Sequence, residues 1–97
     1  MRDKGETTRQ MQAAPENALY IWCAGNTYYP RHLARHLGRE DLKIVPKWWP
    51  DHSRYTRRVV VVDHAAVLSH KALGLIAELN SRSIYNNEGE RSEKIDG

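Results

Sequence analysis

Residues 19–37, LYIWCAGNTYYPRHLARHL, constrain the fold more than any other part of this chain. Leu19 to Cys23 is a short apolar run between Asn17 and Gly25. It is short for a helix and rich in strand-forming residues, so it reads as a strand. Apolar side chains fall at both parities, as on a parallel strand covered on both faces. A glycine turn follows, and then an amphipathic helix. At about 100° per residue, Leu33 and Leu37 share one face with Ala34 at its edge. Arg31 and Arg35 fall opposite, with His32 and His36 beside them. Pro30 suits the first helical position, and Gly38 suits the stop. Strand, turn and helix together make the first half of a βαβ unit.

The turn carries the first candidate chemistry. Gly25 can adopt a positive φ and let the backbone approach a ligand. Asn26 and Thr27 then stand near a helix N-terminus, where free N–H groups and the helix dipole favour an anion. The alternative is a plain strand-to-helix turn, because one glycine falls short of a G-x-G-x-x-G fingerprint.

The stretch GNTYYPRHLARHLG resembles the first turn and helix of a bacterial domain-of-unknown-function family, numbered 2325. Ser69 and His70, following the run Val59–Val62, match that family's late Ser-His at a second helix start. The resemblance covers roughly 19–87 and implies a small Rossmann-like fold with no established activity. Cys23-Ala24 stands where the family's second glycine is usual. Cys23-Ala24-Gly25-Asn26-Thr27 is also similar to the start of the phosphate loop of low-molecular-weight tyrosine phosphatases. That loop's arginine, which clamps the phosphoryl group, would fall at Tyr29, and Arg31 comes two residues later. The late aspartate acid has no evident counterpart. A degenerate, non-catalytic loop is therefore the expectation, since an electrostatic clamp is central to that chemistry.

The rest of the chain extends the pattern. Asp41 to Val45 reads as a second strand closed by Pro46, and Val59 to Val62 as the central strand. Ser69 is a candidate N-cap for a second helix to about Leu79, with Ala72, Leu75, Ile76 and Leu79 on its inner face. Ser83 to Tyr85 reads as a short fourth strand. Residues 1–16 are polar, without an apolar period, and read as a disordered arm. Residues 88–97 read as a disordered acidic tail, leaving 17–87 as the domain. The expected class is α/β, a small domain of two or three layers with about four mainly parallel strands and two helices. An antiparallel pairing of strands two and three is the alternative, because no helix is expected between them.

Between those two strands lies the most distinctive loop, residues 47–58 (KWWPDHSRYTRR). Two adjacent tryptophans cannot easily both point inward, so one is expected in the core and the other exposed. Trp48, Trp49 and Tyr55 are candidate stacking or interface residues, with Arg57 and Arg58 as candidate phosphate contacts. Asp63, at the end of the third strand, either accepts ligand donors or caps the next turn, and the cap is preferred. His32 and His36 share a helix face, but the sequence offers too few further ligands for a zinc site. Cys23 with His70 is the one nucleophile–base pair this topology could unite.

Charge narrows the partners. Residues 17–87 hold ten basic and five acidic residues, a surplus of +5. A basic body suits nucleotide, nucleic acid or an acidic protein. The binding set is therefore Gly25, Asn26, Thr27, Arg31, Arg35, Arg57, Arg58, Ser69 and His70, with no metal, cofactor or catalytic residue. The function expected is non-catalytic binding of a phosphate-bearing ligand. The alternative is a protein-binding module, such as a phage or mobile-element protein that inhibits or adapts a host protein through its Trp/Tyr/Arg loop. The chain has no apolar run near the ~20 residues that span a bilayer. With a single cysteine it is expected in the cytoplasm. A homodimer through a sheet edge would follow from an unprotected edge strand.

Overall fold

The computed structural model describes residues 2–52 and 56–82. In chain order the elements are α1 (Arg2–Ala13), β1 (Leu19–Ile21), α2 (Tyr28–His36), β2 (Lys43–Val45), α3 (Trp49–His52) and β3 (Val60–Val62). A helix α4 follows over residues 70–82. The chain is an α/β domain whose three strands are parallel and ordered β2-β1-β3. Leu19 pairs with Lys43 on one side and with Val60 on the other. The expected fourth strand at Ser83–Tyr85 and the acidic tail lie outside the described residues. No described helix is long and apolar enough to cross a membrane.

The strand placed centrally by sequence, Val59–Val62, contains β3, an edge of the sheet among the described residues. The centre is β1, whose three residues are all buried. Tyr20 packs with Ile44, Met11 and Ala34 on one face of the sheet, with Val61 against them. Leu19 and Ile21 pack with Val45, Val60, Trp49, Ile76 and Leu79 on the other. β-Branched content reports how well a residue suits a pleated surface, not whether its strand is central. The outer edge of β3 is closed by side chains. Val60 N–H donates to Asn80 Oδ1 (2.6 Å), and Asn80 Nδ2 donates to the Val60 carbonyl (2.9 Å). Gln10 Nε2 donates to the Val62 carbonyl (2.9 Å). Two carboxamides thus take the place of a neighbouring strand, which blunts that edge as a pairing template.

Helix α2 begins at Tyr28, so Pro30 is its third residue rather than its first. Proline is still tolerated there, because the first turn's N–H groups have no intrahelical partner. The helix ends as expected at Gly38, with φ +74°. Gly38 N–H reaches the Arg35 carbonyl (3.0 Å) and Arg39 N–H the Ala34 carbonyl (2.7 Å), a Schellman closure. Ser69 caps α4 as expected, its Oγ accepting from Ala72 N–H (3.1 Å).

The N-terminal arm is corrected outright: residues 2–13 form α1. Thr7 and Met11, spaced i and i+4, are buried in it, and Ala14, just past its end, is buried too. That stripe is too narrow and too polar for an apolar-period search to find. Hydrogen bonds hold the helix instead. Thr7 Oγ1 and Tyr20 OH both donate to Asp63 Oδ1, at 3.1 and 2.6 Å. His64 N–H donates to Gln10 Oε1 (2.6 Å). At the other end of α1, Arg39 donates to the carbonyls of Met11 (2.6 Å) and Pro15 (3.1 Å). Such cations complement a helix C-terminus.

Arg39 also grips both oxygens of Asp41, at 3.0 and 2.9 Å, and Asn17 N–H donates to Asp41 Oδ2 (2.7 Å). These donors hold the Asp41 carboxyl well below the usual carboxylate range, the Arg39 hydrogen bonds being the largest cause. A depressed folded pKa contributes stability that is present above the unfolded value near ~3.9 and lost as pH falls below it. Urea midpoints of the wild type should therefore drop as pH falls from about 5 toward 2, and those of Asp41→Asn should drop less over that window. Tyr20→Phe removes the shortest of Asp63's hydrogen bonds while keeping the ring, and is expected to cost about 1–3 kcal/mol in equilibrium urea unfolding.

Candidate functional site

The carboxyl ends of the three strands open onto a small depression of about 200 Å³. Each strand's following loop supplies part of its wall. Gly25 comes from the β1–α2 turn, Lys47, Trp48, Pro50 and Asp51 from the segment after β2, and Val67, Leu68 and Ser69 from the segment after β3. Parallel α/β sheets bind ligands at this end because their loops converge there. The Lys47 N–H donates to the Ala24 carbonyl (3.0 Å), tying the first two loops together.

A second depression, of about 350 Å³, is lined by Asn26, Thr27, Tyr28, Arg31, His32 and Arg35. Asn26 Oδ1 accepts from Tyr28 N–H (2.9 Å) and shapes the turn into α2. Thr27 holds the N-cap position without a side-chain cap bond. Arg31 and Arg35, one turn apart, are both exposed. Arg35 is 3.5 Å from Glu40 in an exposed ion pair. Pairs of that kind contribute little, so Arg35 exchanges partners at small cost.

Three aromatic rings are exposed near these depressions. Tyr28 is 69% exposed, Trp48 51% and Tyr29 42%. The Tyr28 ring lies 4.2 Å from His32 between centroids, and Trp48 lies 5.2 Å from His52 in a T-shaped contact. Trp49, in contrast, is buried at 8% among the residues under β1. The expected division of the tryptophan pair holds, and Trp49 is a core residue rather than a stacking surface.

The predicted set therefore splits. Gly25 and Ser69 line the first depression at the carboxyl end of the sheet, and Asn26 and Thr27 adjoin it. Arg31 and Arg35 follow along α2 toward the amino end of β2, Arg31 donating to the Ile44 carbonyl (3.5 Å) and Arg35 pairing with Glu40, which precedes β2. His70, the first residue of α4, is exposed beside Ser69. Arg57 and Arg58 do not join Gly25 and Ser69, because they precede β3 while Gly25 follows β1 and the strands are parallel. Arg58 donates to the carbonyls of Asn17 (2.8 Å) and Asp41 (3.3 Å), holding the amino ends of the strands. Tyr55 lies outside the described residues. Asp63 is buried and serves as the preferred cap, its Oδ2 accepting from Ala65 N–H (3.0 Å). Sequence reasoning left Lys47 and Tyr28 out of the binding set, and it weighed His32 with His36 without including it. The i, i+4 spacing of Tyr28 and His32 was the available signal. No group of three or more His, Cys, Asp or Glu side chains positioned for a metal occurs among the described residues.

Gly25 needs no positive φ; among described glycines only Gly38 adopts one. A Cβ at Gly25 would meet Trp48 Nε1 at 3.8 Å, an ordinary contact. Neither a family model nor a curated protein nor a solved structure matches the chain. Gly25→Ala should therefore keep its stability within about 0.5 kcal/mol, as surface substitutions do. Gly38→Ala should lose about 1–2 kcal/mol, the cost of a left-handed alanine. Thermal melts of the two variants read the contrast directly.

Proposed function

We propose that this is a small, non-catalytic, Rossmann-like module that binds a phosphate-bearing ligand, nucleotide or nucleic acid, at the carboxyl end of its sheet and along α2. The observation that carries this reading is the shared depression of Asn26, Thr27, Arg31 and Arg35 along α2. Two exposed guanidiniums one helical turn apart supply charge and planar donor forks, which suit phosphate oxygens. The first turn of α2 supplies chiefly the positive end of its dipole, because the Tyr28 N–H bonds Asn26 Oδ1 and Pro30 has no N–H. Helix residues packed on both faces of a parallel sheet are in keeping with the Rossmann-like assignment, as is the resemblance of GNTYYPRHLARHLG to the 2325 family. Arg57, Arg58 and Trp49 drop out of the binding set, Trp48 remains, and Lys47 joins it.

A protein-binding role is the second reading, favoured by the exposure of Trp48, Tyr28 and Tyr29 beside arginines. Interfaces are enriched in those residue types. Salt separates the two. Phosphate recognition weakens steeply with added salt because bound counterions are released, whereas an aromatic-anchored protein interface responds less.

The test is fluorescence anisotropy with a labelled single-stranded oligonucleotide between about 50 and 200 mM salt. Wild-type affinity should fall steeply, and the double variant Arg31→Ala/Arg35→Ala should flatten the log–log slope by about 1.4, at ~0.7 per phosphate contact on single strands. Arg58→Ala should lower stability but leave the slope unchanged. Absence of binding at low salt moves the assignment to a protein partner.

A further inference from the structure

The two depressions differ in chemistry. The first pairs apolar walls, Val67, Leu68 and Pro50, with the exposed Trp48 ring and the polar groups of Ser69 and Asp51. Its one cation, Lys47, is matched by the Asp51 carboxylate, so it carries no surplus of positive charge, and Asp51 accepts hydrogen bonds from amino or imino groups, as on a base edge. The second holds Arg31, Arg35 and His32, with Tyr28 on its wall. Gly25 lines the first and its neighbour Asn26 lines the second, so the two adjoin through the β1–α2 turn.

Neither depression encloses a ligand. Trp48, Asp51, Tyr28, Arg31, His32 and Arg35 are all exposed. Sites for free small ligands bury most of the ligand surface, and this shelf does not. A strand laid across a surface needs no enclosure. It needs cations along its backbone and aromatic faces for successive bases. Trp48 and Tyr28 offer two such faces on either side of the same turn, and one free nucleotide has a single base to stack.

Building on the phosphate-binding reading, we propose that the ligand is single-stranded nucleic acid rather than a free nucleotide. Bases stack on Trp48 and Tyr28, and the backbone continues past Tyr28 along Arg31 and Arg35. Duplex, whose bases are already stacked on one another, gains nothing from the two rings.

The experiment compares labelled oligothymidylates of increasing length with thymidine triphosphate and a duplex of equal charge, on the full chain at low salt. Affinity for single strands should climb with length and level off at about four to six nucleotides, within the range known for compact single-strand sites. Trp48→Ala and Tyr28→Ala should each weaken single-strand binding roughly tenfold and barely change the salt slope. Both side chains are exposed, so the variants should fold, which circular dichroism checks. Triphosphate binding as tight as the longest strand, or equal duplex binding that ignores both substitutions, overturns the single-strand assignment and leaves phosphate recognition standing. No binding of any probe at low salt overturns both.

Discussion

The Tyr20–Asp63 hydrogen bond is the contact on which most of the structure depends. A buried carboxylate is costly unless donors surround it. Asp63 has three: the hydroxyl of Thr7 in α1, the phenol of Tyr20 in β1 and the N–H of Ala65 in the following turn. Burial and the adjacent carboxylate push the Tyr20 phenol well above its ordinary range, so it remains a donor. One carboxylate thereby joins the N-terminal helix, the central strand, an edge strand and the turn leading to α4. The turn's geometry sets where Leu68 and Ser69 stand, and both line the open end of the sheet. The path from a buried polar contact to the shape of the site is short.

The sheet's two ends use their cations differently. At the amino ends, Arg39 and Arg58 are committed to backbone carbonyls and, for Arg39, to Asp41. At the carboxyl end Lys47 is exposed, and along α2 Arg31 and Arg35 are exposed with longer contacts, to the Ile44 carbonyl (3.5 Å) and Glu40 (3.5 Å). A surplus of positive charge in the sequence cannot distinguish these roles, because both need a long basic side chain. Parallel topology does distinguish them: residues that precede a strand and residues that follow one lie at opposite ends. Once the three strands run together, Arg58 belongs with Asp41 and Asn17, not with Gly25.

Much of the architecture was legible in the chain. The three strands, the amphipathic α2, its Gly38 stop and the Ser69 cap all follow from local pattern, where apolar spacing and backbone chemistry are explicit. The misreadings share a cause. Helix α1 is fastened by Thr7, Gln10 and Arg39 through hydrogen bonds to distant residues, and such contacts leave no periodic trace. The central strand was misassigned because the outward backbone groups of β3 are met by Asn80 and Gln10, side chains about 20 and 50 residues away that leave no periodic trace. Gly25 drew attention as a glycine, yet its backbone is ordinary and its importance is its place beside Trp48.

The adjacent tryptophans show how a small domain can hold a large apolar ring in water without leaving it loose. Trp49 is packed among Val45, Ile21 and Ile76, and Trp49 N–H bonds the Pro46 carbonyl (3.0 Å). Asp51 N–H returns to the Trp48 carbonyl (3.0 Å), so the backbone around Trp48 is fixed on both sides. With two side-chain torsions left and His52 against its ring, Trp48 has little freedom to lose when something stacks on it. Preorganisation of this kind raises affinity by lowering the ordering cost of binding. An exposed tryptophan on a free loop would face that cost in full. On the proposed reading, the buried neighbour is therefore part of the energetics of stacking on Trp48, although it touches nothing that stacks there.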